Sequence, residues 1–65
     1  MPSAVISRYH YNDAQLTLTI VYVSGAVYRY LEVPRQVFEN FKAAFSKGTF
    51  LNKEIKGKFD FERVS

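Results

Sequence analysis

The segment Gln15–Glu32, read as QLTLTIVYVSGAVYRYLE, limits what this chain can fold into more than any other. Leu16, Leu18, Ile20 and Tyr22 alternate with Thr17, Thr19, Val21 and Val23, the period of a half-buried strand. β-Branched and aromatic side chains dominate, which suits a pleated surface. A second alternating run holds Tyr28-Arg29-Tyr30, and Gly25 between the two supplies the positive φ of a tight turn. The segment reads as a β-hairpin that forms the floor of a small domain.

Turn length decides which side chains face the core. A two-residue turn at Ser24-Gly25 sets Arg29 opposite Ile20. The guanidinium then lies on the apolar face, at a cost in free energy unless it is paired. A three-residue turn with Gly25 as a left-handed bulge pairs Tyr22 with Ala26 instead. Tyr28 then faces Ile20, Tyr30 faces Leu18, and Arg29 joins Thr17 and Thr19 on the outer face. A one-residue slip exchanges the faces, and only the second register keeps the charge out. It makes Tyr28 and Tyr30 mainly core residues, with hydroxyls that reach the core edge for a partner.

The elements around the hairpin follow in order. Ser3–Tyr11 is expected to be a first strand, with Tyr9 and Tyr11 inward and a bulge near Ser7 that brings in Ile6. Asn12-Asp13-Ala14 is a polar turn. Val33-Pro34 ends the sheet, with Pro34 at the first helical position. Val37, Phe38, Phe41, Ala44 and Phe45 mark one apolar face of a helix from Pro34 to Ser46. Glu39 and Lys42 are spaced for a surface pair. Lys47 suits the helix C-terminus, with Gly48 as its left-handed stop. Thr49 is expected to cap a short second helix through Phe50, Leu51 and Ile55 that closes at Gly57. The tail Lys58–Val64 alternates apolar and charged residues. It predicts a short last strand or extended segment with Phe59 and Phe61 inward and charges guarding the edge.

The fold class is therefore α+β: a three-stranded antiparallel meander, then one main helix and a short second helix on one face, with room for a short C-terminal strand. At 65 residues the chain is limited to one domain, residues 1–65. A chain of this size buries only roughly 60% of its unfolded surface. Five tyrosines and six phenylalanines compensate, since each large ring can bury about 150–250 Å².

Several function classes are excluded or weakened. There is no cysteine, hence no disulfide and no thiolate metal site. No apolar run approaches the roughly 20 residues of a spanning helix. Met1-Pro2-Ser3-Ala4 lacks the pattern of a signal peptide, so a cytoplasmic location is expected. His10 is the only histidine. With Asp13 and Ser3, Ser7, Ser24, Ser46 or Ser65 it can be drawn as a triad, but no nucleophile motif supports one. Metal binding lacks ligands, and Gly25, Gly48 and Gly57 lie too far apart for a phosphate loop. No enzyme activity and no cofactor are expected.

The formal net charge is +3, and the whole excess lies from Lys42 onward. There Lys42, Lys47, Lys53, Lys56, Lys58 and Arg63 face Glu54, Asp60 and Glu62. This permits an anionic partner without requiring one.

The order of features resembles a known family. Ser3 and Ser7 in the first strand, Tyr11 before a polar turn, Gly25, Tyr28-Arg29-Tyr30, Val33-Pro34, and Ser46-Lys47-Gly48 followed by Phe50 and Asn52 are similar to the KTSC domain. That module is named for the C-terminus of some lysyl-tRNA synthetases and also occurs as a free-standing bacterial protein. The resemblance brings no established activity with it, and the family's synthetase context suggests nucleic-acid binding, RNA foremost, by association. The family's tyrosine pair maps onto Tyr28 and Tyr30.

Two functional readings follow. The first is weak nucleic-acid binding through Arg29, Lys53, Lys56 and Lys58. The second is a protein-interaction or homodimer module, in which Val21, Val27 and Leu31 on the outer sheet face form the interface. Sheet tyrosines can also stack bases, although alternation already accounts for Tyr28 and Tyr30 without a ligand.

Overall fold

A computed structural model describes residues 5–65. The expected strand start at Ser3, and the Met1–Ala4 segment as a whole, lie outside the described residues. The element order is β1 (Ile6–Asn12), β2 (Thr17–Tyr22), β3 (Val27–Tyr30), α1 (Arg35–Ala43), α2 (Lys47–Phe50), a π-helical segment (Leu51–Ile55) and β4 (Phe61–Arg63). The strands form one antiparallel sheet in the order β1-β2-β3-β4. The architecture is α+β as expected, and the C-terminal tail is a true fourth strand.

The hairpin takes the three-residue register. Leu18 pairs with Tyr30, Thr19 with Arg29, Ile20 with Tyr28 and Val21 with Val27. The Tyr22 amide donates to the Ala26 carbonyl at 2.8 Å, and Gly25 turns at φ 99°. In β1 the register shifts between Ile6 and Arg8. That bulge near Ser7 brings Ile6, Tyr9 and Tyr11 to the inner face and sends Arg8 and His10 outward.

Leu18, Ile20, Tyr30, Val33, Phe41, Leu51 and Ile55 form the buried core. Phe38 and Phe41 of α1 meet β1 there. Tyr11 stacks on Phe38 with ring centroids 4.5 Å apart, and Tyr9 meets Phe41 edge-on at 5.1 Å. Val33 is a core residue rather than a connector. Its amide donates to the Leu16 carbonyl at 2.7 Å, and its carbonyl accepts from the Tyr11 hydroxyl at 2.6 Å. Leu16 sits in the left-handed region at φ 55° and is 42% exposed, so the apolar alternation of β2 begins at Leu18.

The helical region departs most from expectation. Pro34 is the residue before the helix, in extended conformation, and not its first helical residue. Helix α1 does not run to Ser46 but stops at Ala43, with Ala44 extended at ψ 138°. Ser46, not Thr49, caps α2, its hydroxyl accepting from the Thr49 amide at 3.3 Å. An N-cap must leave helical backbone to aim its side chain at the next turn, so the Ser46 cap breaks what periodicity reads as one helix. Gly48 consequently lies inside α2 rather than ending α1, and a Cβ there would come 2.7 Å from a Val5 methyl. Phe45, read as part of the apolar helix face, is fully exposed at 103%.

After α2 the Lys56 amide donates to the Leu51 carbonyl at 2.8 Å, five residues back, closing a π turn. The wider turn seats both Leu51 and Ile55 in the core. Gly57 follows at φ 84°, closing the helical stretch where the sequence predicts.

Candidate functional site

Helix α1 packs its Phe38 and Phe41 on Tyr9 and Tyr11 of β1, while the β3 and β4 corner of the inner face stays open, with Phe61 half exposed. A row of rings crosses that corner. Tyr22 meets Tyr28 edge-on at 5.5 Å, Tyr28 lies 5.4 Å from Phe61, and Phe61 lies 5.8 Å from Tyr30. Cross-strand partners share a face, so the pairing of Phe61 with Tyr30 and of Arg63 with Tyr28 puts all four on the inner side. Phe61 is directed inward as expected, but 53% of it remains exposed because no helix reaches it. The rings, with Ser24, Ala26, Lys56 and Gly57, line an open cleft of about 450 Å³, a volume within the range of small-ligand sites.

The cleft is aromatic at its base and cationic at its rim. The Arg63 guanidinium lies 5.6 Å from the Tyr28 ring centre. Lys56 enters the lining directly after the π turn, and Gly57 lets the chain fold back toward β4. The hydroxyls of Tyr22 and Tyr30 share a hydrogen bond of 3.1 Å. Burial pushes the Tyr30 phenol well above the ordinary tyrosine range, and the Tyr22 hydrogen bond adds to the shift. Tyr30 is therefore a neutral structural wall of the cleft, whereas Tyr28 and Phe61 offer ring surface.

The four cations singled out in the sequence do not converge. Arg29 lies on the outer face beside Thr19, and its guanidinium donates to Glu62 at 3.1 Å. Lys58 donates to Glu54 at 3.2 Å. Lys53 and Lys56 have no ion pair among the described residues. Lys56 rims the tyrosine cleft, and Lys53 borders a second, shallow depression with Phe45, Thr49, Phe50 and Glu54. The residues missed by sequence reasoning are Tyr22, Phe61 and Arg63. The pairing of the tail with β3 would have revealed Phe61 and Arg63, had its register been legible.

The outer sheet face carries half-buried Thr17, Thr19, Val21, Val27 and Arg29. Val21 and Val27 pair there, and the Val64 amide donates to the Val27 carbonyl at 2.7 Å. The Arg29–Glu62 pair interrupts that apolar surface before Leu31. His10 stands on the same face opposite Thr19, while the Asp13 carboxylate receives two hydrogen bonds of 2.9 Å from Arg35. The triad drawn from these residues is not assembled. Among the described residues no three histidine or carboxylate side chains are grouped to hold a metal, and no helix is long and apolar enough to cross a membrane.

As a class, this is a small α+β module built around an aromatic sheet corner. The KTSC domain family model matches residues 2–59, and the chain belongs to that family. A lysine–tRNA ligase of Nostoc punctiforme is 48% identical over 62 residues, a match that takes in 95% of this chain and 11% of the ligase. The chain thus spans about a tenth of the length of that relative. A protein of Tsukamurella paurometabola is 39% identical over 57 residues, covering 88% of this chain and 85% of its own length. Among solved structures, the crystal structure of a KTSC domain protein from Yersinia pestis superimposes with a TM-score of 0.82 at 34% identity, covering 100% of this chain and 94% of that one.

Proposed function

We propose that this chain is a non-catalytic module that binds single-stranded nucleic acid, RNA foremost, weakly and with little sequence preference. The observation that carries the reading is the open aromatic cleft with Lys56, free of an ion pair among the described residues, on its rim. Every base has a π-face, so rings such as Tyr28 and Phe61 accept unpaired bases of any sequence, while lysines meet phosphates. Kinship with enzymes named as lysine–tRNA ligases supports RNA as the ligand and goes with a cytoplasmic location. Lys53 and Lys56 supply the principal cations, with Lys58 beside them. Arg29, on the far face and tied to Glu62, takes no part.

Titration with single-stranded RNA and DNA across a salt series tests the reading. Affinity near roughly 10⁻⁴–10⁻⁶ M is expected, with a log–log salt slope of about −0.7 per phosphate contact. Lys56→Glu weakens binding to all sequences alike and leaves the melting temperature unchanged, because Lys56 is exposed. Binding indifferent to salt and to Lys56→Glu would overturn the proposal.

The contiguous row of Val21, Val27 and Val64 favours one second reading, self-association through the outer sheet face. A dimer held there melts at lower temperature on dilution, and Val27→Lys makes it monomeric. A monomeric mass with a concentration-independent melt removes this reading.

A further inference from the structure

We infer that a bound single strand does not end at the tyrosine cleft but continues over Lys56 and Lys53 to a second stacking station, Phe45. This inference deepens the proposed function and rests on it. Phe45 is 103% exposed in the link between α1 and α2, held there by extended Ala44 on one side and the Ser46 cap on the other. A shallow depression of about 350 Å³ adjoins it, formed with Phe50, Thr49, Lys53 and Glu54.

The lysines connect the two aromatic stations. Lys53 lies within the π-helical segment and Lys56, extended at ψ 130°, is the residue that ends it, so the short stretch of chain between them keeps the two cations near each other. Lys53 borders the Phe45 depression, and Lys56 borders the tyrosine cleft. Glu54, the carboxylate beside Lys53, is occupied by Lys58 at 3.2 Å. The order along the surface is therefore ring, cation, cation, ring. A single strand repeats base and phosphate in a manner that such a track fits, with bases on Phe61 and Phe45 and phosphates between them. An apolar protein partner seated on Phe45 would instead desolvate Lys53 without neutralising it, which is unfavourable.

The two-station track makes a length-dependent prediction, because a ligand that reaches both stations gains from their linkage. The probes are oligouridylates from a dinucleotide to about ten nucleotides, within the site sizes known for stacking platforms. Phe45→Ala should weaken the longest probe about ten-fold and leave the dinucleotide, seated in the cleft, unchanged. Phe61→Ala should weaken every length. If Phe45→Ala has no effect at any length while Lys56→Glu still weakens binding, the second station is overturned and the proposed function stands. An equal loss at every length also overturns the track. Absence of binding at low salt for all lengths overturns both.

Discussion

The Tyr30 ring is 1% exposed, and its hydroxyl has a partner in Tyr22 at 3.1 Å. Burial raises its pKa above the ordinary 10.0. Below about pH 10 the folded and unfolded states both hold the proton, and the stabilisation is complete. Above it the unfolded chain ionises first, so stability falls as pH climbs toward the folded value, by at most about 1.4 kcal/mol per pH unit. Tyr30→Phe should cost about 0.5–1.5 kcal/mol near neutral pH for the lost hydrogen bond and should flatten that alkaline fall. Tyr11, also raised by burial, is present in both proteins and cancels in the comparison. Urea midpoints near pH 8 and pH 10.5 supply the measurement, and equal alkaline slopes would count against a buried neutral Tyr30. Tyr30→Ala should cost about 3–5 kcal/mol, whereas Arg29→Ala should stay within about 0.5 kcal/mol because its ion pair is exposed. The placement of these two residues was legible because a charge forbids one of two registers. The exposure of Phe61 was not, since it depends on where the helical layer stops.

Among the elements, the α1–α2 junction decides how the inner face is covered. Apolar spacing from Val37 to Phe45 reads as one helix because periodicity cannot see a break of three residues. The competing signal is Ser46, whose side chain satisfies an orphan amide of the next helix. Ser46→Ala should therefore cost about 1 kcal/mol. Phe45→Ala should change stability by less than about 0.5 kcal/mol, the range of surface substitutions. Chemical denaturation of both variants checks this. A loss at Phe45 of about 3–5 kcal/mol, as for a core ring, would mean that the helix continues through it. The β1 bulge, by contrast, was legible from side chains alone: Ile6 belongs inward and Arg8 outward, and only an extra residue reconciles them with Tyr9 and Tyr11.

For the molecule as a whole, the small core and the open corner have one origin. A chain of 65 residues has too little helix to cover four strands, and the uncovered corner gathers Tyr22, Tyr28, Tyr30 and Phe61. The positive excess from Lys42 onward was legible in the sequence. The i,i+4 spacing of Glu54 and Lys58 could have announced their pair, whereas the placing of Lys53 and Lys56, without an ion pair among the described residues, at two different depressions depends on the π turn, which no local pattern announces. The central claim is that this helical and aromatic side, not the outer sheet face, meets nucleic acid. The most direct measurement is an amide NMR titration of the protein with a single-stranded oligouridylate at low salt. Shifts at Tyr28, Lys53, Lys56, Gly57 and Phe61, with Thr17, Thr19 and Arg29 unmoved, are the predicted result. Shifts confined to the outer-face residues, or none at all, would contradict it.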